Sequence, residues 1–236
     1  MDDITFKDLK KFARISGFLY LIVIIAGMFA EIFVRQAMFV SNNALATVTN
    51  IQAHEMFYRV GFVADLVNLI CGLPVILFFW ALFKQHNKYL ATLSLLFAII
   101  SNAVFAVNLL NQLQPLLVFG KANYLQVFQP NQLAVLGNIS LTSQTQGYAI
   151  GLVFFGIDII ILGYLIFKTN SIPKMLGVLY AIAGICYVIN SFVMFLSYKF
   201  NNPVFVYLAI PIFIGEFSIA VWLLIKGIKE DKLAAG

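Results

Sequence analysis

The sequence predicts an all-α polytopic membrane bundle of six transmembrane helices with both termini cytoplasmic. Three observations carry that prediction. The 236 residues are 62% hydrophobic and only 11% charged, whereas about a quarter of an ordinary soluble domain is charged. Six runs are long and apolar enough to cross roughly 30 Å of hydrocarbon. Lysine and arginine collect on alternate links between those runs, as the positive-inside rule requires. The composition also excludes a disordered, collagenous or disulfide-scaffold chain, because apolar and aromatic residues dominate and there are two cysteines.

The runs cover residues 15–34, 57–83, 89–113, 148–167, 175–196 and 204–225. Transmembrane strands would alternate apolar and polar residues, but Leu21-Ile22-Val23-Ile24-Ile25 is apolar throughout, which selects helices. A secretory leader is the other reading of the first run, since Lys10, Lys11 and Arg14 precede it and Ala30 ends it. Its length of about 20 residues exceeds an h-region, and Met28 suits a cleavage motif poorly, so it reads as a span. With the N-terminus inside, the cytoplasmic segments hold Lys7, Lys10, Lys11, Arg14, Lys84, Lys88, Lys168, Lys174, Lys226, Lys229 and Lys232. The opposite face holds Arg35, Arg59, Lys121 and Lys199. This asymmetry accounts for the net charge of +5 without a nucleic-acid partner.

Residues 1–14 therefore read as a cytoplasmic segment, 15–226 as one six-helix domain and 227–236 as a cytoplasmic tail, with no soluble domain appended. The short links 84–88 and 168–174 force antiparallel pairs, and Ser171 is a candidate helix N-cap beside Pro173. The longer segments 36–56 and 114–147 read as outer loops, with a short interfacial helix at 130–137. Asn138-Ile139-Ser140 fits a glycosylation pattern that matters only in a secretory pathway. Cys71 and Cys186 fall inside spans as packing residues. His54 and His86 fall in loops, so no metal site and no cofactor are expected.

The informative residues are Glu31, Asp65, Asp158 and Glu216, one acid in each of four spans. A carboxylate at the centre of a membrane helix costs about 2.5–3.5 kcal/mol on insertion scales, so these acids should face the bundle interior or a water-filled cavity. Counting about 1.5 Å per residue from the nearest cytoplasmic base gives two layers. Glu31, Asp65, Asn108 and Asn190 lie at an outer level, and Asp158 and Glu216 lie near the midplane. Arg35 is four residues from Glu31, and Arg59 begins the span that carries Asp65, so an ion-pair network can neutralise both outer acids. The midplane acids have no base at their depth. They read either as a proton or cation site or as protonated carboxyls hydrogen-bonded between helices. Asp65 and Asp158 differ in estimated depth by roughly 14 Å, which argues against an intramembrane aspartyl protease.

Small and polar residues recur at helical spacing on several spans: Gly17, Tyr20, Ile24, Gly27, Glu31 and Arg35; Asp65, Asn68 and Gly72; Ser94, Ser101, Phe105 and Asn108; Gly177, Tyr180, Gly184, Tyr187 and Ser191. Most of these read as helix contacts. Pro74 and Pro211 add kinks of the kind that transporters and other membrane helices share. No phosphate loop, nucleophile elbow or haem constellation appears, and no catalytic residue is named.

The chain resembles the bacterial membrane proteins catalogued as domain of unknown function 4386, from about Arg14 to Gly227. The resemblance rests on Arg14-Ile15-Ser16-Gly17 with Tyr20, Ala30-Glu31-Ile32-Phe33-Val34-Arg35, Arg59-Val60-Gly61 with Asp65, and Gly151-Leu152-Val153-Phe154-Phe155-Gly156. Leu162-Gly163-Tyr164, Pro173-Lys174-Met175-Leu176-Gly177, Tyr187 with Asn190-Ser191-Phe192, and Gly215-Glu216 extend it. It departs at Ile157-Asp158, where members carry an imidazole or another polar group. The resemblance implies a multi-pass inner-membrane protein and supplies no activity.

The functional expectation is an outer-facing polar cluster of Glu31, Arg35, Arg59, Asp65, Asn68, Asn108 and Asn190 above Asp158 and Glu216, binding or moving a small molecule or cation. The alternatives are an intramembrane enzyme on a lipid or quinone headgroup, and a structural or stress-related partner of other membrane proteins. A cavity reaching Asp65 and Asp158 supports the first two, and a dry core supports the third.

Overall fold

A chain this apolar can hide its peptide groups only in helices or a closed barrel, and the described residues contain helices and no strand. The computed structural model describes residues 6–40, 43–120, 122–197 and 204–229. Lys121, Lys199, Lys232 and most of the expected tail lie outside the described residues. Six helices have the length and composition of membrane spans: α1 (Phe6–Met38), α3 (Glu55–Phe83), α4 (Lys88–Val118), α5 (Pro130–Lys168), α6 (Lys174–Leu196) and α7 (Phe205–Ile225). A shorter helix, α2 (Ala44–Ala53), joins α1 to α3 and is capped by Asn43, whose side chain accepts the Ala46 N–H at 3.0 Å.

Several elements run further than the apolar runs alone suggest. The first span starts at Phe6, so much of the expected cytoplasmic segment is already helical. The stretch read as an outer loop at 114–147 is mostly helix: α4 continues to Val118, a 3-10 turn covers Asn123–Val127, and α5 begins at Pro130. Polar residues there end the hydrophobic run without ending the helix, because Pro130 at the first turn and a reciprocal Gln129–Gln132 capping box start α5 early. Asn138 and Ser140 of the glycosylation pattern lie on α5, where the Ser140 hydroxyl donates to Gln114 Oε1 at 2.5 Å. Ser171 is not the N-cap of α6: Pro173 holds that position without a side-chain cap, and the buried Ser171 instead accepts the Lys229 N–H at 2.9 Å through its carbonyl.

Neighbouring spans pack side by side in chain order, and α7 packs on α1, so the six form one ring. Lipid offers no hydrophobic drive for helix association, so close packing and polar contacts must hold the ring together. On the α4–α5 seam, three rungs recur every seven residues: Ser94 donates to Asp158, Ser101 to the Gly151 carbonyl at 2.9 Å, and Asn108 to the Gln144 carbonyl at 2.7 Å. Each such bond contributes about 0.6 kcal/mol in a membrane bundle. The α5–α6 seam repeats the same interval with glycines. A Cβ on Gly156 would lie 2.7 Å from the Gly184 carbonyl oxygen, and one on Gly163 would lie 2.6 Å from that of Gly177. Seven residues make two turns, which keeps a facing stripe in register between antiparallel helices.

At the end of the ring where α1 begins and α7 ends, Phe78, Phe83, Leu162, Ile166, Ile172, Ile219 and Leu223 pack into an apolar plug. Gly17 brings α1 against the α7 backbone at Ala220, Leu223 and Leu224. A Cβ on Gly227, whose φ is +67°, would lie 3.2 Å from the Lys10 side chain, so the start of α1 and the end of α7 share one face. At the opposite end, α2 packs on α5 and joins a smaller cluster of Val34, Met38, Ile51, Tyr58 and Leu141.

Candidate functional site

Residues Phe29–Arg35 of α1 form a π-helical turn, in which the Gln36 N–H reaches the Glu31 carbonyl five residues back. Such turns concentrate at functional sites. This one carries Glu31 and Arg35. Arg35 is buried and donates through Nε to Glu31 at 2.7 Å and through Nη1 to Asp65 on α3. Its guanidinium also lies 5.4 Å from the Tyr148 ring centre and 3.5 Å from Gln112 Oε1. A planar, permanently charged fork is suited to hold two carboxylates at once, and this one pairs with both Glu31 and Asp65, so that the triad with both acids ionised carries one net negative charge.

Beside this ion triad is a chamber of about 30 Å³, bounded by Arg35, Asp65, Asn68, Asn108, Gln144 and Tyr148 among others. Arg35 Nη2 has no protein hydrogen-bond partner. Asn68 donates to the Val23 carbonyl at 2.8 Å and ties α3 to α1, while Asn108 accepts from Asn111 at 2.9 Å. Most of the expected outer cluster does assemble. Arg59 does not join it. It pairs with Glu55 one turn earlier at 2.8 Å, and both side chains are about half exposed, 51% and 53%. A partner four residues back on the same helix face captures this arginine more readily than an acid further along α3.

A second and much larger space occupies the middle of the ring. It has a volume of about 640 Å³, receives walls from all six spans, and runs from Glu31 and Gln36 toward Asp158, Leu162 and Glu216. Asn190 also lines it, away from the small chamber that holds Asn108. Asp158 accepts a hydrogen bond from the Ser94 hydroxyl, and Glu216 accepts one from Tyr187 at 2.5 Å. Tyr20 and Tyr180 share a hydroxyl contact of 2.8 Å on the same wall. The two midplane acids therefore have separate hydroxyl partners, and each carboxyl retains further acceptor capacity. Asp65 and Asp158 sit in different chambers, which gives no shared acid pair for proteolysis.

Three acids and no lysine or arginine line the large cavity among the described residues. Gly72 widens it: a Cβ there would meet nothing within 4 Å. Among the described residues no group of three or more His, Cys, Asp or Glu side chains is placed to hold a metal ion. Sequence reasoning did not include Gln112, Gln144 and Tyr148 in the cluster. Their signal was available: Gln112 follows Asn108 by four residues, and Gln144 precedes Tyr148 by four, so each pair shares a helix face.

A family model described as Domain of unknown function (DUF4386) matches residues 15–227. The chain belongs to that family. Within the family reading it is a multi-pass membrane protein. It is similar to an uncharacterized protein of Archaeoglobus fulgidus, with 39% identity over 86 residues, or 36% of this chain. That stretch is 49% of the relative, so the match spans about half the relative's length. No solved structure matches the chain.

Proposed function

We propose that the protein binds a small amphiphile with a cationic head inside its six-helix ring. Asp158 and Glu216 act as the counter-charges. The carrying observation is the cavity itself: about 640 Å³ with an extensive apolar wall, containing carboxyl groups and no basic side chain among the described residues. Pockets of roughly 300–1,000 Å³ hold drug-sized molecules, using apolar walls for affinity and a few polar groups for orientation. Away from water, a carboxylate without a basic neighbour favours an ammonium group strongly, while an anionic head would meet like charge. Glu31 is already held by Arg35, so the midplane acids are the better anchors. The same cavity favours a ligand-binding role over a purely structural one. With the termini in the cytoplasm of a bacterial cell, the Glu31 end of the cavity faces the outer leaflet.

The test uses the protein in lipid nanodiscs with three probes of one chain length: dodecylamine, dodecanol and dodecanoate. Dodecylamine is expected to raise the melting temperature, with little or no rise from the alcohol or the acid. Glu216→Gln keeps the side-chain size while removing the charge, and should weaken the amine by about tenfold. Equal stabilisation by amine and alcohol, or an unchanged amine affinity in Glu216→Gln and Asp158→Asn, contradicts the proposal.

A further inference from the structure

The wall of the large cavity is not uniformly buried. Five of its apolar residues are 37–71% exposed: Met28 and Ile32 on α1, and Phe205, Val206 and Phe213 on α7. A side chain that both lines an interior cavity and faces outward marks the edge of an opening. These five belong to the two helices that close the ring. Where α1 begins and α7 ends the two are locked together, with Gly17 against the α7 backbone and the apolar plug behind it. Toward the other end both helices line the cavity.

Depth decides what the opening meets. Met28 lies 14 residues from Arg14, and Phe213 lies 13 from Lys226, which places both roughly 20 Å along the bundle from the termini side. With a hydrocarbon thickness of roughly 30 Å, that is within the acyl-chain region of the far leaflet. The far end itself is partly crossed by α2, which is tied to the end of α1 by the Asn50 side chain on the Met38 carbonyl at 3.2 Å and by Thr47 on the Val40 N–H at 3.0 Å.

We infer that the gap between α1 and α7 is a lateral portal through which a membrane-dissolved, single-chain amphiphilic amine enters the cavity from the far leaflet. This inference rests on the amine-binding reading above and narrows it: the ligand is taken from lipid, with its chain following the apolar α1–α7 edge while its head reaches Glu216. A freely water-soluble cation has no need of such an edge.

The experiment uses the full chain in nanodiscs whose lipid carries a long-chain primary amine with a diazirine at mid-chain. Light-dependent labelling is mapped by mass spectrometry over time, with and without excess dodecylamine. Labelling is expected on the peptides around Met28 to Ile32 and Phe205 to Phe213, suppressed by dodecylamine. Ala209→Trp adds bulk to the α7 side of the portal and should slow the onset of labelling inside the cavity about tenfold, with the final extent retained. Val206→Trp, at a more exposed edge position, serves if Ala209→Trp does not fold. Ile99→Trp, at an exposed position of α4 outside the cavity wall, is the contrast and should leave the onset unchanged. Slowing by Ile99→Trp alone, equal slowing by both positions, or no slowing at either overturns the portal while dodecylamine protection leaves the binding site standing. Loss of dodecylamine protection in the wild-type chain removes the site and the portal together.

Discussion

Arg35→Met is expected to lower stability by about 3–5 kcal/mol, because it strands Asp65 inside the bundle without its cation. Arg35 and Asp65 are each only 8% exposed, and Arg35 is the basic group bonded to that carboxylate. Attraction within a buried pair offsets desolvation already incurred by both members, so removing one leaves the full penalty on the other. Glu31 has a side chain 35% exposed and keeps the Gln36 amide at 3.1 Å, so Glu31→Gln should cost much less. The double variant Arg35→Met with Asp65→Leu removes both charges and should recover most of the loss. Unfolding of the four proteins in a mixed-micelle denaturant series measures this directly. A stable Arg35→Met single variant, or a double variant no better than the single, would show that the pair does not carry the outer half of the ring.

The second large effect concerns the α5–α6 seam. A Cβ on Gly177 would sit 2.7 Å from the Gly163 carbonyl oxygen and 2.9 Å from the Phe167 backbone nitrogen, and neither can move without the helix it belongs to. Gly177→Leu must therefore push the two helices apart. Overpacking of this kind costs about 3 kcal/mol, and separation of α5 from α6 also shifts Asp158 relative to Tyr187 and Glu216. Lower stability and weaker dodecylamine binding should appear together. Gly72→Ala is the control: nothing lies within 4 Å of its added methyl, and it replaces a poor helix former by a good one. It should be neutral or stabilise by up to about 1 kcal/mol. If Gly177→Leu behaves like Gly72→Ala, the glycine seam does not set the spacing of the ring.

Parts of the site were legible in the chain because helical spacing is local. Glu31 and Arg35 share a face by a four-residue interval, and the structure pairs them. The depth count placed Asp65 level with them, where Arg35 does reach it. The same reasoning offered Arg59 as a second cation, which fails because Glu55 lies within one turn of it. Gln144 and Tyr148 were harder to assign together. A boundary drawn where hydropathy falls separates them, whereas α5 continues through both as one helix of 39 residues.

By itself the sequence determined the solvent, the number of spans and the presence of acids that must turn inward. Those follow from composition and run length, since hydrocarbon tolerates a spanning peptide only when its backbone is satisfied within a helix or barrel. Which acids are neutralised, and where empty space remains, was decided by the tertiary structure. Arg35 meets Asp65 only after α1 and α3 pack with a particular rotation, and the large cavity exists only because α7 closes on α1. A cavity is volume left between six helices, so no residue or interval in one of them encodes it alone.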